Sequence, residues 1–180
     1  MKVIGFCGLP GSGKSTAIEA ISDLGRVLTM GDVIRNEAIN RNLKPSGENL
    51  GAIAKELRKK EGKEVIAKKC IEIIQNLKED VVFVDGLRSM NEVNEFRKFW
   101  KFPVIAIELD EYIRFNRLYR RARSDDPKTL EQLRERDQRE LNFGLSQVIS
   151  QADIKIQNKF PEKEFKEKIR KRIKKILQTY

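Results

Sequence analysis

The stretch Gly8-Leu9-Pro10-Gly11-Ser12-Gly13-Lys14-Ser15 has the spacing G-x-x-x-x-G-K-[ST]. Glycines at these places let the backbone curl, so that successive N–H groups point inward at an anion. A helix starting directly after the loop adds partial positive charge at its N-terminus. Lys14 then reaches the β- and γ-phosphates of a nucleotide, and the Ser15 hydroxyl ligates Mg²⁺. A glycine-rich turn with an exposed lysine is the plain alternative. The flanks argue against it: Val3-Ile4-Gly5-Phe6-Cys7 reads as a buried strand, and Ile18 and Ile21 open a helical pattern. Phosphate binding requires that strand–loop–helix setting, so Gly8 through Thr16 are predicted to hold ATP with Mg²⁺.

Several apolar runs must carry this loop. Val81-Val82-Phe83-Val84 and Val104-Ile105-Ala106-Ile107 read as buried strands, Val27-Leu28-Thr29-Met30 as a shorter one, and Ile154 and Ile156 as part of an edge strand. Near-continuous apolar strands separated by helical patterns predict an α/β fold with a parallel sheet covered on both faces. Helical faces are formed by Leu50, Ile53, Ala54 and Leu57, and by Ile66, Cys70, Ile73, Ile74 and Leu77. A third combines Phe165, Ile169, Ile173, Ile176 and Tyr180. About fifty residues separate the second strand from the Val81 strand, far more than a simple crossover needs. Residues 31–79 therefore read as a helical insertion that closes over a second ligand.

The length, 180 residues, suits one domain spanning 1–180. A net charge of +10 favours anionic partners: nucleotides, nucleic acid or acidic surfaces. Apolar runs are too short to span a bilayer, and the N-terminus reads as a strand rather than a signal peptide, so a cytoplasmic protein is expected. Cys7 and Cys70 fall on core faces without metal or redox spacing and are expected to be buried structural thiols. Lys163, Lys166, Arg170, Arg172 and Lys175 lie opposite the C-terminal apolar stripe. No aromatics interleave them, which favours a solvated face over a nucleic-acid contact.

Further motifs follow in a fixed order. They are Gly31-Asp32-Val33-Ile34-Arg35, the run from Leu57 to Gly62-Lys63, and Val84-Asp85-Gly86-Leu87-Arg88. Then come Arg117-Leu118-Tyr119-Arg120-Arg121, Arg123-Ser124-Asp125-Asp126 with Arg134 downstream, and Asn158-Lys159-Phe160-Pro161. Over most of its length the chain thus resembles the adenylate kinase and nucleoside-monophosphate kinase group, most closely the archaeal adenylate-kinase-related proteins. The resemblance implies a three-layer phosphate-loop fold. Its five parallel strands would be ordered 2-3-1-4-5, with an acceptor-binding insertion and a short lid at 111–127. It implies that Asp32, Arg35 and Arg88 meet the acceptor phosphate side and that the backbone at Gly62 lies against the acceptor base. Asp85 would hold Mg²⁺ through water, and Asn158 to Pro161 would border the donor adenine. Arg117, Arg121, Arg123 and Arg134 would join Lys14 around the phosphoryl group in flight, with the neighbouring Arg136 an alternative to Arg134.

The chain departs from that pattern in three places. The proline before the acceptor arginine is missing, so Asp85 to Arg88 is one residue shorter. Glu92 stands where the family carries a base-reading Gln. The lid between Arg121 and Arg123 is almost absent. The chemistry of phosphoryl transfer agrees with the resemblance: it needs positioning and charge neutralisation, not a strong general base, and the chain has no His. The expected activity is an ATP- and Mg²⁺-dependent nucleotide kinase, with AMP the first acceptor and a monomer favoured. The alternatives are a kinase of dephospho-CoA or another small molecule, and a nucleotide-dependent switch or RNA-associated factor with slow hydrolysis.

Overall fold

The structure, a computed structural model, describes residues 1–123 and 126–180. Its centre is a parallel sheet of β1 (Lys2–Cys7), β2 (Arg26–Thr29), β3 (Val81–Asp85), β4 (Val104–Glu108) and β5 (Ile154–Gln157). The strand order is β2-β3-β1-β4-β5, as expected. Alternate residues of β1 serve opposite faces, as the two-residue period of a strand demands. Val3 and Cys7 join Val82, Val84, Val104 and Ala106 in one core. Ile4 and Phe6 join Phe83, Ile105 and Ile107 in the other. Both thiols are buried, and burial pushes each up to about 12, so they are inert packing groups.

The first core is roofed by α2 (Met30–Asn40), α3 (Gly47–Glu61), α4 (Val65–Gln75), α5 (Met90–Arg97) and α8 (Ser146–Ser150). The second is roofed by α1 (Lys14–Glu19) and α9 (Glu162–Thr179). The result is three layers. Phe165, Ile169 and Ile173 of α9 are almost wholly buried, and each stabilises the fold by about 1.5–3 kcal/mol. The Tyr180 hydroxyl accepts from Val3 N at 2.9 Å and donates to Val3 O at 3.1 Å, pinning the chain end to the first strand.

Two local readings change. Met30 is not the last strand residue but the first of α2, buried against the core, so β2 runs directly into a helix. Ile73 is 38% exposed because the inward face of α4 runs through Ile66, Ala67, Cys70, Ile71 and Ile74 and leaves Ile73 at its edge. The remaining helices, α6 (Glu111–Arg121) and α7 (Leu130–Glu140), follow β4. Asp110 caps α6 through Tyr112 N and Ile113 N, and Thr129 caps α7 through Gln132 N. A widened turn at Leu141–Leu145, with Gly144 at φ +121, bends the chain from α7 into α8.

Candidate active site

The loop after β1 lies where the neighbours of β1, β3 and β4, diverge, outside the carboxyl ends of the strands. Gly13 begins α1 at φ +101, a conformation that penalises any side chain, and a Cβ there would sit 2.1 Å from Asn158 Nδ2. The loop is held from behind. Asn158 Nδ2 donates to Ser12 O at 2.8 Å, and Arg114 Nη1 donates to Pro10 O at 3.1 Å. Arg114 is itself fixed by a buried fork to Asp137, at 3.0 and 2.6 Å. With carbonyls tied back, the first-turn amides of α1, which have no intrahelical acceptor, remain for an anion.

Lys14 Nζ donates to Gly8 O at 2.7 Å. Burial lowers its pKa, while the charge of Asp85 acts the other way. Asp85 ends β3 in register with Phe6 and Thr29. Its Oδ1 is buried and has no hydrogen-bond partner among the described residues. Burial raises the Asp85 pKa, with Lys14 opposing. A buried carboxylate oxygen left this way is costly unless a cation uses it. A hydrated Mg²⁺ takes one or two protein oxygens, so Asp85 and the Ser15 hydroxyl fit such an ion.

These groups share one cavity of about 710 Å³. Its walls include the loop glycines Gly8, Gly11 and Gly13, with Pro10, Lys14, Ser15 and Thr16, then Asp85 and Arg88, and the border Asn158, Phe160 and Pro161. Arg117, Arg121 and Arg123 enter from the end of α6, and Arg136 from α7. Asp126 orders this cluster: Arg121 forks onto it at 2.9 and 2.5 Å, Arg136 stands at 3.9 Å, and Arg123 N donates to it at 3.0 Å. The hydrogen bonds from Arg121 hold the Asp126 carboxyl below its ordinary range. Arg88 Nε approaches Glu140 of α7 at 3.5 Å.

Other predicted residues fall elsewhere. Arg134 forks onto Glu111 at 3.0 and 2.9 Å and stays exposed outside the cavity, while Arg136 lines it. The reason is helical: residues two apart point to nearly opposite sides, so one helix cannot offer both. Leu9 and Ser12 face a smaller cavity of about 450 Å³ behind the loop, so Ser12 has only its backbone to give the anion side. Glu92 is 1% exposed and closes a capping box on α5. Its Oε2 accepts from Arg88 N at 2.9 Å and Ser89 N at 3.2 Å, and its Oε1 from Arg58 Nη2 at 3.0 Å. Both oxygens are engaged, which corrects the expectation that Glu92 meets an acceptor base. Asp32 and Arg35 pair with each other on α2, about half exposed and outside the cavity lining. Gly62 ends α3 at φ +100, also outside it. Ser124 and Asp125 of the lid motif lie outside the described residues.

Sequence reasoning missed Arg58, Arg114 and Asp137. The last had a signal: Leu133, Asp137 and Leu141 keep helical spacing, so Asp137 is a carboxylate in an apolar register.

A sequence profile of the AAA domain family matches residues 4–142. The UPF0200 protein of Methanosarcina mazei is 42% identical over 173 residues, covering 94% of this chain and 92% of that protein. The chain belongs to the UPF0200 family. A UPF0200/UPF0201 protein of Archaeoglobus fulgidus is 48% identical over 175 residues, 94% of this chain, which spans only 54% of that relative's length. The archaeal kinship read from the motifs is thereby shown. Among solved structures, TT1252 from Thermus thermophilus matches at TM-score 0.65 and 20% identity, over 99% of this chain and 97% of that one. Shikimate kinase from Acinetobacter baumannii, solved with shikimate, matches at TM-score 0.58 and 14% identity, over 99% and 94%. The fold is that of the phosphate-loop kinases. Among the described residues no helix is long and apolar enough to cross a membrane.

Proposed function

We propose that this chain is an ATP- and Mg²⁺-dependent phosphotransferase acting on a nucleotide, with AMP the first acceptor to test. The observation that carries the reading is the convergence on one cavity of the phosphate loop, Asp85 and arginines from separate segments. Moving a phosphoryl group between two nucleotides gathers negative charge in a single cleft, and preorganised cations there stabilise the transition state. Lys14 would exchange the Gly8 carbonyl for phosphate oxygens. Ser15 and Asp85 are the residues that would hold Mg²⁺, which when bound neutralises phosphate charge and aligns its oxygens. Arg117, Arg121, Arg123 and Arg136 would close on the transferred group, with Asp126 fixing the direction of Arg121 and Arg136.

In this reading residues 31–79 form the acceptor unit and 111–127 a minimal lid. Arg88 borders the cavity and would meet the acceptor phosphate. Asp32, Arg35 and Gly62 would come to the acceptor as the helices close, a motion that also excludes water. A second reading, transfer to dephospho-CoA or another small molecule, is favoured by one observation: Glu92 has no oxygen left to read a base. The likeness to a kinase solved with shikimate agrees with it.

The test supplies ATP labelled at the γ-phosphate, with Mg²⁺, to AMP, CMP, GMP, UMP, dephospho-CoA and shikimate separately. Label entering AMP and no other acceptor is the expected result. Label entering only dephospho-CoA or shikimate selects the second reading, and label entering none refutes both.

A further inference from the structure

One partly buried cation plays no part in the chemistry above. Arg58 lies on α3, and its side chain is 12% exposed. Its Nη2 donates to Glu92 Oε1 at 3.0 Å, and its guanidinium lies over the Phe143 ring, 4.5 Å from the centroid. Each contact leads to the cavity. Glu92 holds the amides of Arg88 and Ser89 through its other oxygen, which sets the backbone from which the Arg88 side chain departs. Phe143 sits in the turn between α7 and α8. There a Cβ on Gly144 would stand 3.2 Å from Arg88 O, so this turn packs directly on the Arg88 segment. From α7, one turn back, Glu140 reaches Arg88 Nε.

We infer that Arg58 is a positioning residue that couples α3 of the acceptor unit to Arg88, acting through Glu92 on one side and the Phe143 turn on the other. The inference rests on the kinase reading for its effect on catalysis, but its structural link stands independently of it. The physical case is one of competing costs. A carboxylate as buried as Glu92 needs a cation or it destabilises its own surroundings. Arg58 meets it with one edge while its planar face covers an aromatic ring, a combination that a lysine cannot reproduce. A displacement of α3 therefore carries Glu92, the two amides and the Arg88 side chain with it. The acceptor unit and the phosphate-binding arginine would move as one body.

Two measurements test this. The first is amide hydrogen exchange of the ligand-free protein, in Arg58→Ala and in Arg58→Met, which keeps the apolar stem if the alanine variant folds poorly. Exchange at Arg88 and Ser89 is expected to speed about tenfold or more, corresponding to ~1.4 kcal/mol of lost protection, while the peptide over Gly8 to Thr16 stays as in wild type. Unchanged exchange at Arg88 and Ser89 overturns the inference whatever the activity of the protein. The second is steady-state kinetics on the acceptor identified above. Arg58→Ala is expected to raise the acceptor KM up to about 100-fold, with ATP affinity within twofold of wild type. Arg58→Lys should fall between the two. Equal weakening of ATP and acceptor, or a lysine variant as good as wild type, overturns the assignment. An inactive wild-type protein would refute the kinase reading alone, and the exchange result would still decide the link.

Discussion

On the proposed reading, the donor side and the acceptor side of this molecule are built differently. The donor side is backbone: a loop whose carbonyls are tied back by Asn158 and Arg114, continued by the first turn of α1. The acceptor side would be side chains of α2 and of the segment between β3 and α5, and its candidates Asp32 and Arg35 face each other rather than the cavity. A site made from backbone is set once the strand and helix around it form. A site made from side chains on helices depends on how those helices stand, which is where closure can act. Donor binding should accordingly be rigid and acceptor binding conformational.

The largest expected effects break the donor side. Lys14→Ala should lower kcat by about 10²–10³ or more by removing a preorganised charge. Asp85→Asn should abolish Mg²⁺-dependent transfer yet raise Tm at neutral pH, since it removes a buried charge whose oxygen lacks a partner. Thermal unfolding without nucleotide checks this, and a lower Tm would contradict the account of Asp85.

Next comes the pair on α7. Arg136→Ala should cost about 10²–10³ in kcat. Arg134→Ala, which breaks an exposed pair with Glu111, should leave kcat within roughly twofold and stability within about 1 kcal/mol. Single-turnover rates on both variants settle which arginine serves the cavity. On the acceptor side, Arg35→Ala should raise the acceptor KM about tenfold through one lost charge-assisted contact and leave ATP binding untouched. Titrations with each ligand separate the two, and a parallel loss of ATP affinity would erase the contrast between the halves.

The smallest effect is on acid stability. Arg121 holds the folded Asp126 carboxyl below its ordinary value of 3.8, so its contribution is present at neutral pH. It is lost as pH falls below 3.8 through the folded pKa. Asp126→Asn should lower Tm at pH 7 and flatten its further fall at acid pH, as read by unfolding scans across pH.

How much of this was legible in the sequence follows the same division. The phosphate loop and the strands were readable because their signals are local: fixed spacing, apolar runs, one strand–loop–helix unit. Asp85 was readable because it closes such a run. Arg136 was not separable from Arg134 by motif spacing, since the choice depends on the rotation of α7 about its axis. Glu92 looked like a base reader by position, and only the fold shows Arg58 arriving from α3 to take its free oxygen. Arg58 itself sits among Arg58, Lys59 and Lys60 at the end of a helix, where a solvated face is the ordinary reading. Tertiary contacts between distant segments leave no mark of that kind in a single sequence.

The central claim is that the arginine-lined cavity transfers a phosphoryl group rather than spilling it to water. The most direct measurement is the partition of ATP consumed between phosphorylated acceptor and free phosphate, taken with and without AMP. The account predicts that consumption depends on AMP and that the γ-phosphoryl group is recovered in the acceptor. Release of free phosphate at the same rate whether or not AMP is present would contradict it, and would make the protein a slow nucleotide hydrolase of the switch type.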